Sequence, residues 1–200
     1  MIGCRLEPPQ GRTQSVHLSP AETKLTTLGK AAAQEQAKHP ELSGLYLLSD
    51  PREAFAARVK LAKQAEKTLD TQYYIWRDDT TGSLLLETLY EAAERGVRVR
   101  LLIDDHGTSG LDEALSALDA HPNIEVRLFN PFVFRPFKLF GFVTEFDRAN
   151  RRMHNKSFTA DNAATIVGGR NVGDEYFGAT NGVLFADLDA VAVGDVVAEL

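Results

Sequence analysis

Residues that together can handle a phosphate stand at fixed spacing in this chain. They are His154-Asn155-Lys156, then Asp161 after four residues, then Gly168-Gly169-Arg170-Asn171 after six more. On an extended segment, residues two apart leave the same face of the backbone. His154 and Lys156 therefore aim an imidazole and an ammonium at one ligand. The imidazole can attack phosphorus and hold it as a covalent phosphohistidine. The ammonium neutralises the oxygens whose charge must be stabilised in the transition state. Asn171 can donate a further hydrogen bond to the phosphate, and Gly169 is assigned to the same phosphate-binding set. Asp161, across an expected hairpin, could pair with Lys156 or order the loop. Taken singly, each residue has an ordinary explanation: a lone histidine is usually a surface or satisfied core residue, and a Lys–Asp pair is usually a solvated ion pair worth little. The joint spacing is what carries the reading. No metal or other cofactor is required, because the cation at the phosphate is Lys156, and no cluster has metal-ligand spacing.

These side chains must be positioned by the elements around them. From Gly44 onward the pattern alternates between strand and helix. Leu45–Leu48 is a short apolar run. Ser49-Asp50-Pro51 is a helix start with proline at its first position, followed by Phe55, Val59, Ala62 and Ala65 at helical spacing. Leu69–Trp76 is a β-branched and aromatic strand. Thr80-Thr81-Gly82-Ser83 opens a second helix, which Gly96 closes. Val97–Ile103 reads as a buried strand, and Asp104-Asp105 at its end reads as a cap for the next loop or helix rather than a metal site. Gly110–Ala120 is a third helix and Ile124–Phe129 the next strand. Ser157–Ala160 and Thr165–Val167 form a hairpin around Asp161-Asn162, and Leu184–Val193 is a last strand. The expected fold is α/β, a mixed, largely parallel sheet flanked by helices. Residues 44–200 are expected to make one domain, truncated at its C-terminal end. Residues 1–43 read as a mostly disordered leader with a short helix near Leu25–Lys38.

Composition excludes several classes. The chain has 200 residues, 44% hydrophobic and 25% charged, with net charge −6. That balance argues against nucleic acid as a partner. The single cysteine, Cys4, rules out an internal disulfide. It is either a stray residue in the leader or the remnant of a lipoprotein cleavage box. No apolar run is long enough to span a bilayer.

The H-x-K-x4-D-x6-G-G-x-N run resembles the signature of the phospholipase D superfamily. Flanking stretches resemble its bacterial cardiolipin synthase C branch, and N-terminal half: Asp70–Trp76, Arg95–Asp105, Asn130-Pro131-Phe132, Asn150–Met153 and Gly168–Phe177. The resemblance implies a phosphatidyltransferase that makes cardiolipin from phosphatidylglycerol and a second phospholipid, with phosphatidylethanolamine as a candidate, through a phosphohistidine. It implies that His154, Lys156 and Asp161 are catalytic, and that the site works at a bacterial cell membrane, peripherally or through a lipid anchor. Such enzymes pair two motifs, and His17, His39, His106 and His121 lack the lysine that would make a second. The partner motif would come from a second half in cis or from a homodimer partner. The alternatives are a phosphodiesterase, lipase or nuclease, that completes its site by dimerising, or an inactive membrane-binding fragment.

Seven of the 11 phenylalanines fall between Phe129 and Phe146. Residues 130–153 hold five basic against two acidic residues, a net of +3, so the remainder carries −9. An aromatic and basic segment on an acidic protein suits an anionic bilayer interface. Phe132, Phe134, Phe137, Phe140, Arg151 and Arg152 are the expected lipid-contacting residues; the alternative is that the rings fill the core.

Overall fold

A computed structural model describes residues 16–132 and 150–199. Seven strands form one sheet in the order β1-β7-β6-β5-β2-β3-β4. They are β1 (Gly44–Leu48), β2 (Thr68–Ile75), β3 (Arg98–Gly107), β4 (Ile124–Phe129), β5 (Ser157–Ala160), β6 (Ala164–Gly168) and β7 (Asp189–Val193). The helices are α1 (Pro20–Thr23), α2 (Thr27–Lys38), α3 (Pro51–Gln64), α4 (Thr80–Glu94), α5 (Asp112–Asp119) and α6 (Asp174–Phe177).

Local chemistry explains the boundaries. Asp50 caps α3, its carboxylate accepting from the Arg52 and Glu53 amides, with Pro51 at the first helical position. Asp79 caps α4 through the Gly82 amide. Alternation then sorts the strands. Leu69, Thr71 and Tyr73 of β2 are buried, as are Val99, Leu101 and Ile103 of β3. They share a core with Leu61 and Ala62 of α3, Leu85 and Leu89 of α4, and Phe158 and Ile166 of the β5–β6 hairpin. Asp70, Gln72, Arg100, Glu125 and Arg127 take the opposite face, with Arg100 paired to Asp70 and Arg127 to Glu125.

The sheet is mixed, as expected, but not largely parallel. Only β2–β3 and β3–β4 run parallel, each joined through a crossover helix; the other four pairings are antiparallel. The strand–helix rhythm holds for residues 44–129 and then stops. The three-residue connection 161–163, which turns at Asp161-Asn162, leaves no length for a crossover, so β5 and β6 must be antiparallel. Both turn residues sit in the left-handed region, at φ 53° and 50°, which Asp and Asn tolerate better than most residues.

In the expected leader, the helix anticipated near Leu25–Lys38 is present as α2, a short α1 precedes it, and residues 16–43 make contacts with the sheet domain. Ser19 and Glu22 make a reciprocal capping box at α1. Thr26 is fully buried, the Thr27 amide donates to Glu66, and Gln36 donates to Asp195. Leu28 packs against the main core. The polar composition of this stretch hid a single apolar anchor and several side chain–backbone contacts.

One buried ionic network ties the far edge of the sheet together. Asp189, 1% exposed, accepts from the Arg58 guanidinium at 2.9 Å and from the Arg170 amide at 3.1 Å. Arg58 also donates to the Tyr73 hydroxyl and the Ala54 carbonyl. Arg170 donates to the carbonyls of Leu48 and Ser49. Such a cluster is tolerable in a core because nearly every charge has hydrogen-bonding partners.

Candidate active site

Because β5 runs antiparallel to β2, with Ser157 opposite Gln72, the residues just before it lie alongside the C-terminal end of β2. This is the end of a parallel strand pair where α/β sheets place ligands. The chain entering the motif is pinned there by Asp104 of β3. That carboxylate is fully buried and accepts from the Met153 amide at 2.8 Å, the Arg152 guanidinium at 3.0 Å and the His106 amide at 2.8 Å. Asp105 accepts from the Phe132 amide at 2.8 Å and from the Thr108 hydroxyl. The strand expected to end at Ile103 continues to Gly107, and the Asp104-Asp105 pair inside it organises the loops around the site.

His154 is exposed and Lys156 is 8% exposed. The structure brings them together: Lys156 Nζ lies 3.1 Å from His154 Nδ1 and donates to the His154 carbonyl at 2.7 Å. Burial pushes the Lys156 ammonium below its usual pKa of 10.5, and the negative charge of Asp187 partly opposes that shift. An ammonium can only donate, so the Nδ1 it meets must offer its lone pair. A phosphate oxygen that draws Lys156 away would free that lone pair.

Asp161 is not brought to Lys156. It is fully buried and its carboxylate accepts from the amides of Glu66, Lys67 and Thr68 at 2.7–3.3 Å. Of its two expected positions the structure has the loop-ordering one, clamping the hairpin to the start of β2. Asn171 is buried, with its Oδ1 accepting from the Ile75 amide at 3.1 Å and its Nδ2 donating to the Tyr176 hydroxyl at 3.0 Å. One amide hydrogen remains for a ligand. Gly169 donates its amide to Leu188, and a Cβ there would strike the Asp187 carboxylate. The glycine gives the Asp187 carboxylate room to lie against the backbone; a larger residue would need that side chain to move.

The expected lipid-contacting residues divide. Phe134, Phe137 and Phe140 lie outside the described residues. Arg151 is exposed. Phe132 is 3% exposed, and Arg152 lies 4.5 Å over its ring while also binding Asp104. In the described structure both residues act as inward loop anchors, with Asp104 and Asp105 capturing the chain on either side.

Two residues near the site escaped the sequence reading. Asp187 carries no local motif and is found only through folding. Tyr74 lies with its ring centroid 4.8 Å from that of His154, the two planes tilted by 42°; alternation along β2 could have placed it opposite the core-facing Tyr73. Among the described residues no group of three metal-ligating side chains forms.

Residues 59–193 match the family described as cardiolipin synthase, PLD-like domain. The chain belongs to that family. It is 59% identical over 163 residues to cardiolipin synthase C of Escherichia coli, covering 82% of this chain and 34% of that protein. The chain thus spans about a third of that relative's length. Solved structures share the fold. Phosphatidylserine synthase of Haemophilus influenzae superposes with a TM-score of 0.59 at 16% identity, covering 85% of this chain and 38% of that one. NucT from Helicobacter pylori gives 0.57 at 16% identity, covering 79% and 89%.

Proposed function

We propose that this domain supplies the nucleophilic half of a phosphatidyltransferase that makes cardiolipin. The reading is carried by the convergence of His154 and Lys156 at the open end of β2, 3.1 Å apart. The family and the 59% identity to a cardiolipin synthase support the lipid assignment.

The first step is attack of a His154 ring nitrogen on the phosphorus of a phospholipid. A P–N bond forms and the P–O bond to the headgroup alcohol breaks, leaving a phosphatidyl-histidine. Lys156 and the remaining Asn171 hydrogen hold the phosphate oxygens as their charge redistributes. The alcohol leaves as an alkoxide unless a general acid protonates it. In the second step the hydroxyl of phosphatidylglycerol attacks the same phosphorus, a P–O bond forms, the P–N bond breaks and the hydroxyl proton passes to a base. That acid and base role belongs to the second motif, which we assign to another part of a longer protein; a homodimer partner is the other source. Asp161 acts from a distance, by holding the hairpin that carries Lys156.

No helix among the described residues is long and apolar enough to cross a membrane. The site would meet its lipids at the bilayer surface, with the segment 133–149 and Arg151 as the contacting region. Vesicles of phosphatidylglycerol, analysed by mass spectrometry, test the assignment on the longest available form of the protein. Cardiolipin and free glycerol should accumulate and vanish in His154→Ala. Hydrolysis to phosphatidic acid without cardiolipin would favour the phosphodiesterase reading instead.

A further inference from the structure

Three contacts converge on the ring of Tyr74. It lies 4.8 Å from the His154 ring, 5.6 Å from Lys156 Nζ and 6.1 Å from the His106 ring, nearly parallel to it at 17°. The backbone leaves the ring little freedom. The β2–β3 register shifts between Tyr73 and Ile75. Gly107 of β3 presses so closely there that a Cβ would strike the Tyr74 carbonyl. On the other side the Ile75 amide donates to Asn171, and the Val172 amide donates to the Ile75 carbonyl. Tyr73 faces the opposite way and is spent on Arg58. Tyr74 therefore has a fixed backbone on both flanks and a half-buried ring turned to the motif.

We infer that Tyr74 is a positioning residue for the phosphate site, its ring holding the Lys156 ammonium and the His154 imidazole in one orientation. The inference rests on the reading of His154 and Lys156 as a phosphate-handling pair. Its physics is separate. A cation within about 6 Å of an aromatic face is attracted to the ring quadrupole, and the attraction grows when the cation is desolvated. Lys156 is such a cation: it is buried, and its other neighbours are the His154 ring nitrogen, the His154 carbonyl and the Asp187 charge. The imidazole gains an aromatic neighbour that limits its rotation. Because the ring acts through its face, phenylalanine should replace tyrosine and an aliphatic residue should not.

The test compares Tyr74→Phe with Tyr74→Leu by NMR, following the Lys156 side-chain amine against pH, with inorganic phosphate as the binding probe. Wild type and Tyr74→Phe should share one Lys156 midpoint and one phosphate affinity. Tyr74→Leu should titrate at lower pH, remove the upfield ring-current shift of the His154 carbon-bound protons, and bind phosphate about 3- to 5-fold more weakly. An unchanged Lys156 midpoint and His154 shifts in a folded Tyr74→Leu would overturn the inference. So would an equal loss in Tyr74→Phe, which would place the role on the hydroxyl. Phosphate binding that survives Lys156→Met would instead overturn the phosphate-site reading, while the lysine titration still decides the role of Tyr74.

Discussion

Lys156 is the residue on which the pH response of the site turns. Burial lowers its pKa from 10.5, so the ammonium is lost at a lower pH than from a solvated lysine. Phosphate affinity and turnover should therefore fall on the alkaline side before pH 10.5 is reached, and Lys156→Met should abolish that limb while lowering kcat/KM about 100- to 1,000-fold. Between the lowered folded value and 10.5 the unfolded chain binds more protons, so stability should rise with pH across that window. Stopped-flow rates and urea melts over pH 7–10.5 check both. A flat profile would remove Lys156 from the phosphate. The residue scale was largely legible: the spacing of His154 and Lys156 put both at one point, and they meet there. Tyr74 was not, because its part depends on which strand lies beside β5.

At the scale of elements, Asp161 shows how a motif residue can serve the site without touching it. Its carboxylate satisfies amides at the α3–β2 junction, where a buried unmet donor costs about 1–3 kcal/mol. Asp161→Ala should destabilise the domain by about 3 kcal/mol in a denaturant melt, and Asp161→Asn by less, since one carbonyl oxygen remains. A melt unchanged by Asp161→Ala would contradict the clamp. Element identities were readable from capping residues and alternation: β4 and the hairpin fall where the pattern puts them. Pairing direction was not. Direction depends on which strands become neighbours, and β1 joins β7, residues distant in the chain, through contacts that no local pattern records. The docking of α2 was equally hidden, since Thr26 and Leu28 are too few to make a periodic signal.

At the scale of the whole molecule, these 200 residues hold one H-x-K pair, and the family chemistry needs an acid–base partner for its second half-reaction. The steps should then separate. With bis-p-nitrophenyl phosphate the leaving phenolate needs no general acid, so attack can proceed while release stalls. The prediction is a burst of about one nitrophenolate per chain followed by slow turnover, the kinetic mark of a covalent intermediate that accumulates. Steady turnover without a burst, rising with the square of protein concentration, would show that two copies complete one site.

The most direct test of the central claim is covalent trapping at His154. Wild-type chain mixed with the activated diester and quenched in alkali should yield a peptide containing His154 that carries the nitrophenyl phosphoryl group, stable to base and lost in acid. The adduct should be absent from His154→Ala. Nitrophenolate release from wild type with no adduct on that peptide, or an adduct that persists in His154→Ala, would contradict the account.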